Sequence, residues 1–189
     1  MHHELQTDNL FESFTGVWKR VITEPRRFFE EMPVSGGLQN PLVFLLVCLA
    51  ISAVGFLVIG PRALALLIIV LGVVRAFIGA LVVMVVAQQV FRGTGDYEAT
   101  FRALAYSGAP VALLWIPLIR PLVALYLLFL VVLGIERVHG FDVGKAVLTL
   151  LLSFVAIGTV VWTLGLAHLW IPASMMPMLP MMPMGPHCT

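Results

Sequence analysis

"GTGDYEATFRALAYSGAP", residues Gly93 to Pro110, separates two stretches too apolar for water to have selected. It brings Asp96, Tyr97, Glu98, Arg102 and Tyr106 into the middle of the chain, then returns to apolar sequence through Ser107, Gly108 and Pro110. Gly93 to Gly95 reads as a turn. Asp96 is a helix cap, because its carboxylate can accept from an amide of the first turn. Ala99, Ala103 and Ser107 recur every four residues, as do Ala105 and Ala109. Small residues at that spacing let one helix backbone approach another. Packing does not require Glu98, Arg102 or the Tyr106 hydroxyl. These read as a polar rim at one end of a helix.

The segments on either side set the solvent. The chain has 189 residues, 60% hydrophobic and 11% charged, and a mean hydropathy of +1.03. Soluble domains carry about 25% charged residues, so this chain is solvated by lipid. The net charge of +1 says nothing about nucleic acid, but there is no long basic run, so no nucleic-acid partner is expected. Residues 1 to 33 mix charges and contain no apolar core of a signal peptide. The cysteines, Cys48 in an apolar run and Cys188 near the C-terminus, predict no structural disulfide.

A spanning helix needs about 20 mostly apolar residues. Five are expected: Pro41 to Ile59, Ala63 to Phe91, Tyr97 to Pro117 kinked at Pro110, Leu122 to Ile135, and Ala146 to Leu166. Ahead of them, Leu10, Phe11, Phe14, Val17, Trp18, Val21 and Ile22 fall on one helical face, with Asn9 and Glu12 as a capping pair. This stripe can lie in the membrane interface or pack on the protein's own cytosolic loops. The next stretch, "PRRFF", sets two arginines beside two phenylalanines, and Gly36-Gly37 gives a hinge before the first span. The expected fold is an all-α integral membrane protein with five transmembrane helices and an N-terminal amphipathic interfacial helix. Its expected parts are a cytosolic segment (residues 1–35), a membrane domain (36–168) and a Met/Pro-rich tail (169–189).

Lysine and arginine set the orientation. With a cytosolic N-terminus, Lys19, Arg20, Arg26, Arg27, Arg92, Arg102, Arg137 and Lys145 are cytosolic, and Arg62 and Arg120 lie opposite. Five spans then leave the C-terminus outside. Both the Asp96 loop and the loop "GIERVHGFDVGKA" are on the cytosolic side. Glu98, Arg102, Tyr106, Glu136, Arg137, His139 and Lys145 are accordingly expected to form one partner-facing surface.

Other chemistry is sparse. There is no Ser-His-Asp set, CxxC, phosphate loop or HExxH, so no catalytic residue is assigned, no enzyme is expected and no cofactor is expected. Glu136, His139 and Asp142 match no metal-ligand spacing. Arg75 is an intramembrane polar residue in the second span, where a charge at mid-bilayer costs roughly 2.5–3.5 kcal/mol. It either contacts a substrate or headgroup in a cavity, or snorkels to the headgroups. In the tail, Met178, Met181, His187 and Cys188 are soft donors that suit Cu(I). Against that, an uncharged Met/Pro extension needs no metal to exist on a membrane surface.

"DYEATFRALAYSGAP", "WIPLI" and "LYLLFLVVLGIERVHGFDVGKAVLTLLL" together resemble the Yip1 domain, and "EPRRFFEEMPVSGGLQNPLVF" resembles the segment that precedes it in short bacterial members. The ordered set is Tyr106 and Pro110, Pro117, Gly134, His139-Gly140 and Lys145-Ala146. The resemblance covers about Pro25 to Leu166. It implies a five-span membrane protein with a cytosolic N-terminus. Eukaryotic relatives act in vesicle trafficking and engage Rab GTPases and one another. This chain lacks their longer cytosolic N-terminal region, so Rab binding is not carried over. The expected function is a non-enzymatic, membrane-organising adaptor in a bacterial cytoplasmic membrane. Its expected partners are membrane lipids and other membrane proteins or further copies of itself. The alternative is a transporter of a small solute, lipid or metal ion such as copper. A transporter should gather polar groups around a cavity at Arg75, whereas an adaptor should have a packed core and polar groups at its cytosolic rim.

Overall fold

The computed structural model describes residues 10–59 and 62–174, with side chains described for 12–58, 65 and 67–163. It is helical, without a strand among the described residues: α1 (Leu10–Thr23), α2 (Pro25–Glu31), α3 (Gln39–Ile59), α4 (Arg62–Phe91), α5 (Tyr97–Ser107), a 3-10 helix (Ala109–Leu113), α6 (Arg120–His139) and α7 (Val143–Ser174). The chain divides into two compact units inside α7, one through Ser153 and one from Phe154. The packing described below belongs to the first.

Four helices are long and apolar enough to cross a membrane: Gln39–Val58, Leu67–Phe91, Arg120–His139 and Val143–Thr163. The chain is an integral membrane protein. The expected third span is not one continuous helix. Pro110 has no N–H, and its ring would strike the carbonyl four residues back. α5 therefore stops at Ser107, and the Gly108 amide donates to the Leu104 and Ala105 carbonyls. The 3-10 helix takes over with Val111 N–H to Gly108 O at 2.9 Å, and the chain turns into α6 near Arg120.

The small-residue row in this segment is interior. Ala99, Ala103, Ala105, Ser107 and Ala109 are all buried. Gly134 of α6 packs on α5, where an added Cβ would lie 3.0 Å from Ala103 Cβ and 3.4 Å from Phe29 Cε1. On α3, a Cβ at Gly55 would fall inside the Trp115 ring.

The apolar stripe of α1 meets protein. Phe14 is in ring contact with Phe44 at 5.3 Å, and Val21 has no exposed surface. Trp18 Nε1 donates to Ala109 O at 2.9 Å, and the Tyr126 hydroxyl donates to Ile22 O at 2.7 Å. Of the two ways to cover the stripe, the structure shows packing on the protein. The covering surface, however, is the helices α3 and α6 and the 3-10 segment rather than cytosolic loops. Arg20 of α1 reaches Glu31 of α2 at 2.6 Å and ties the two helices, while Arg27 reaches the same carboxylate at 2.9 Å from within α2. The Arg27 and Arg20 hydrogen bonds hold the Glu31 carboxyl below its ordinary range.

Gly134→Leu should lower the melting temperature of the purified protein, since overpacking a core costs about 1–3 kcal/mol. Gly79→Leu is the control, because nothing lies within 4 Å of a Cβ there. Equal melting of the two variants would show that the α5–α6 contact tolerates bulk.

Candidate functional site

The polar stretch that opens α5 folds as its residue types dictate at the start. Asp96 caps the helix, accepting from Ala99 N–H at 2.8 Å. The Thr100 hydroxyl donates to Asp96 O at 2.7 Å. It is then left to accept from His139 Nε2, 3.2 Å away. This assigns the imidazole proton to Nε2. The ring is 2% exposed and stacks on Phe141. Its Nδ1 is buried without a protein partner and faces Gly93 and Gly95, where a Cβ would be crowded out. His139 therefore pins the end of α6 to the loop before α5.

The next residues turn inward. Glu98 Oε1 accepts from the Gly37 amide at 2.6 Å. Arg102 has no exposed surface. Its Nε donates to Pro33 O at 2.9 Å and its Nη1 to Gly37 O at 2.8 Å. Gly36 and Gly37 have φ of 130° and 87°, which lets this linker turn its carbonyls toward the guanidinium. Tyr106 is 2% exposed, with its ring against Phe28 at 5.3 Å and Phe44 at 5.2 Å. Arg102, Tyr106 and His139 were expected on one partner-facing surface and are interior instead. The linker between α2 and α3 folds back across α5 and takes up Arg102, and Phe28 of α2 and Phe44 of α3 cover Tyr106.

The remaining residues gather at the end of α6. Gly140 closes the helix in the left-handed region, φ 66°, and the Phe141 amide returns to Glu136 O at 3.0 Å. Arg137 is exposed and donates from Nη2 to Glu30 O at 3.1 Å. Between α2 and α6 is a cleft of about 270 Å³. Arg26, Glu30, Glu136 and Arg137 bring charge to it, and Phe29 and Phe141 bring apolar wall. One oxygen of Glu136, Oε2, is buried with no protein donor. Lys145 is exposed at the start of α7.

Arg75 stands on an exposed face of α4 beside Leu71, Val74 and Ile78. Among the described residues, no three His, Cys, Asp or Glu side chains are placed to hold a metal ion. Met178, Met181, His187 and Cys188 lie outside the described residues. Sequence reasoning missed the Pro33 and Gly37 carbonyls as the ligands of Arg102, and Arg26, Phe29, Glu30 and Phe141 as cleft wall. The Gly36-Gly37 pair was the available signal for the first, and "PRRFF" for the second.

Arg102→Met should destabilise the protein by about 3 kcal/mol, since hydrogen bonds to a charged group contribute roughly 1.5–3 kcal/mol each. Arg102→Lys should rescue only part of this, because an ammonium lacks the planar fork that reaches both carbonyls. Thermal melting in detergent checks both. Wild-type melting of Arg102→Met would remove the clamp as a source of stability.

Among known families, the Yip1 domain matches residues 19–165 of this chain. No curated protein and no solved structure matches it. The matched stretch begins within α1, ends within α7 and contains both the inward-turned arginine and the cleft beside α6. The chain belongs to the Yip1 domain family.

Proposed function

We propose that this protein is a non-enzymatic adaptor that organises membrane components through a cytosolic surface, Glu136 to Lys145 with α2, in a bacterial cytoplasmic membrane. The observation that carries the reading is the division of its polar groups. Glu98, Arg102 and Tyr106 are spent on internal contacts. Arg137 and Lys145 remain exposed at one end of the molecule's helices, with Glu136 half-buried beside them. Arg75 stands on an exposed apolar helix face rather than among converging polar groups, which gives the transporter alternative no support.

Five crossings fit this reading. α3 and the broken segment run side by side in the same direction. Gly37 pairs with Glu98, Gly108 approaches Leu45, Gly55 packs on Trp115, and Arg120 lies over the Phe56 ring at 5.5 Å. From Gln39 to Gly55 α3 rises roughly 24 Å at 1.5 Å per residue, most of a bilayer core of about 30 Å. α5 and the 3-10 helix together cover that length. Irregular backbone is tolerated at membrane depth where protein covers it, and Ala109, Pro110 and Ala112 are buried. The excess of lysine and arginine in the N-terminal segment and the two polar loops favours a cytosolic N-terminus.

Leu118, 90% exposed between the 3-10 helix and α6, tests the fifth crossing. Leu118→Cys, placed in a Cys48→Ala, Cys188→Ser background, should react with an impermeant maleimide from outside intact cells. Reaction only after permeabilisation would leave the broken segment on the cytosolic side.

The adaptor role is tested by Arg137→Glu combined with Lys145→Glu. Surface substitutions change stability by about 0.5 kcal/mol or less, so melting should stay near wild type. Proteins co-purifying in mild detergent should fall about tenfold, because charged rims govern recognition. Retention of every partner would overturn the assignment of this surface.

A further inference from the structure

We propose that α1 is an in-plane wedge whose polar face meets the lipid headgroups of the N-terminal leaflet and holds that leaflet thin on one flank of the molecule. Depth along the bundle can be counted from the hairpin between Ile59 of α3 and Arg62 of α4. Leu49 stands ten residues before Ile59 and Gly72 ten residues after Arg62. The two touch, since a Cβ at Gly72 would lie 2.5 Å from Leu49 Cδ2. α3 and α4 are therefore level partners. At about 1.5 Å per residue, Phe44 of α3 is about 22 Å from the hairpin and Val85 of α4 about 34 Å. α1 crosses at the depth of Phe44. Phe14 meets the Phe44 ring. One turn on, Trp18 bonds Ala109 O, and the neighbouring Gly108 approaches Leu45. One further turn on, Ile22 O accepts from the Tyr126 hydroxyl, six residues from Arg120, which lies over Phe56. Three successive turns meet the bundle at or within the depth of Phe44, so α1 lies across it rather than along it.

The outward face of α1 is polar, with Glu12, Thr15, Lys19 and Thr23 exposed. Charged side chains at hydrocarbon depth are costly, so water and headgroups must come in to meet them. The apolar layer on this flank is then at most about 22 Å, against about 30 Å for a bilayer core. Tilting cannot supply the difference. The far end of the flank carries the exposed Arg120, and raising α1 to the surface sinks that arginine. On α4 the demand reverses. Ile78, Leu81 and Val85 continue an exposed apolar face about 12 Å past the depth of α1, and such a face calls for lipid. A level headgroup plane fails one flank or the other. At the depth of α1 it leaves the α4 face in water, and at the depth of Val85 it puts Glu12 and Lys19 in hydrocarbon. A leaflet that dips beside α1 satisfies both, and bilayers thin around short hydrophobic surfaces. The inference rests on α3 and α4 as crossing helices. It needs neither a cytosolic N-terminus nor a protein partner, so its failure and that of the adaptor reading are separable.

The test uses the full chain with single cysteines in a Cys48→Ala, Cys188→Ser background. Each variant is labelled with bimane and reconstituted in dioleoylphosphatidylcholine vesicles, with iodide present on both sides. Thr15→Cys reports the α1 face and Val85→Cys the α4 face. Iodide should quench Thr15→Cys severalfold more than Val85→Cys, although Thr15 stands nearer the hairpin. Lipid with a doxyl group on its acyl chain should show the opposite order. Strong iodide quenching of both sites, or strong doxyl quenching of both, would reveal a level leaflet and overturn the proposal. Quenching of Val85→Cys by neither agent would place protein rather than lipid over α4 and also overturn it. A second measurement varies bilayer thickness. The wild-type melting temperature should be highest with myristoleoyl chains, lower with oleoyl and lowest with erucoyl. Thr15→Leu combined with Lys19→Leu makes the outward face of α1 more apolar and should move the maximum to a longer chain. A wild-type melting temperature that rises with chain length would overturn the wedge, as would an unchanged maximum in the double variant.

Discussion

A guanidinium with no exposed surface must find fixed acceptors, because burying a charge unpaired costs far more than the stability of a typical domain can absorb. Arg102 meets that demand with the carbonyls of Pro33 and Gly37. The rest of the N-terminal half follows. The linker must cross α5 with its carbonyls turned inward, which two glycines at positive φ permit. Glu98 secures the same linker from the other side through the Gly37 amide. With the linker fixed, α2 has little freedom. Phe28 is carried onto Tyr106, and Phe29 onto Gly134. α1 is then close enough for Phe14 and Val21 to complete the same core.

The interruption of α5 depends on that arrangement. A helix that stops inside an apolar layer frees carbonyl groups that lipid cannot satisfy. Ala109 O is one, and Trp18 of α1 donates to it. The sequence separation is 91 residues, so the break is stable only in the folded protein. In return, the break redirects the chain. The 3-10 helix narrows the segment and brings Trp115 against Gly55, where any side chain on α3 would collide with the ring. Proline, glycine and alanine near position 110 thus set helix termination and helix spacing together.

Properties that are local or summed over many residues were legible from sequence. The four long apolar runs, the Asp96 cap, and the close packing of Ala99, Ala103 and Ser107 each follow from composition or from neighbours within one helical turn. What could not be read was the partner of each polar group. Arg102 and Lys145 are alike as letters beside an apolar run. One lies in the core and the other in solvent, and the difference is made by a linker 65 residues away. The stripe on α1 carries the same ambiguity. Amphipathicity says that a face will be covered, and lipid and protein cover it equally well by that measure. Pro110 was legible as an irregularity, but the length of helix it removed depended on Gly108 and on a tryptophan far upstream.

This sorting of charges decides what the exposed end can recognise. Had Arg102 stayed outside with Arg26, Arg137 and Lys145, the surface would have carried a strong basic bias and attracted any acidic partner. Its burial leaves Arg26 and Arg137 facing Glu30 and Glu136 across one cleft. A wall of balanced charge exerts little long-range pull, so it selects at short range, by how well positive and negative groups of a ligand match its own spacing. His139, which borders this end of α6, is withheld from the wall by Thr100 and Phe141. The cleft therefore presents two guanidinium groups, two carboxylates and an aromatic lining.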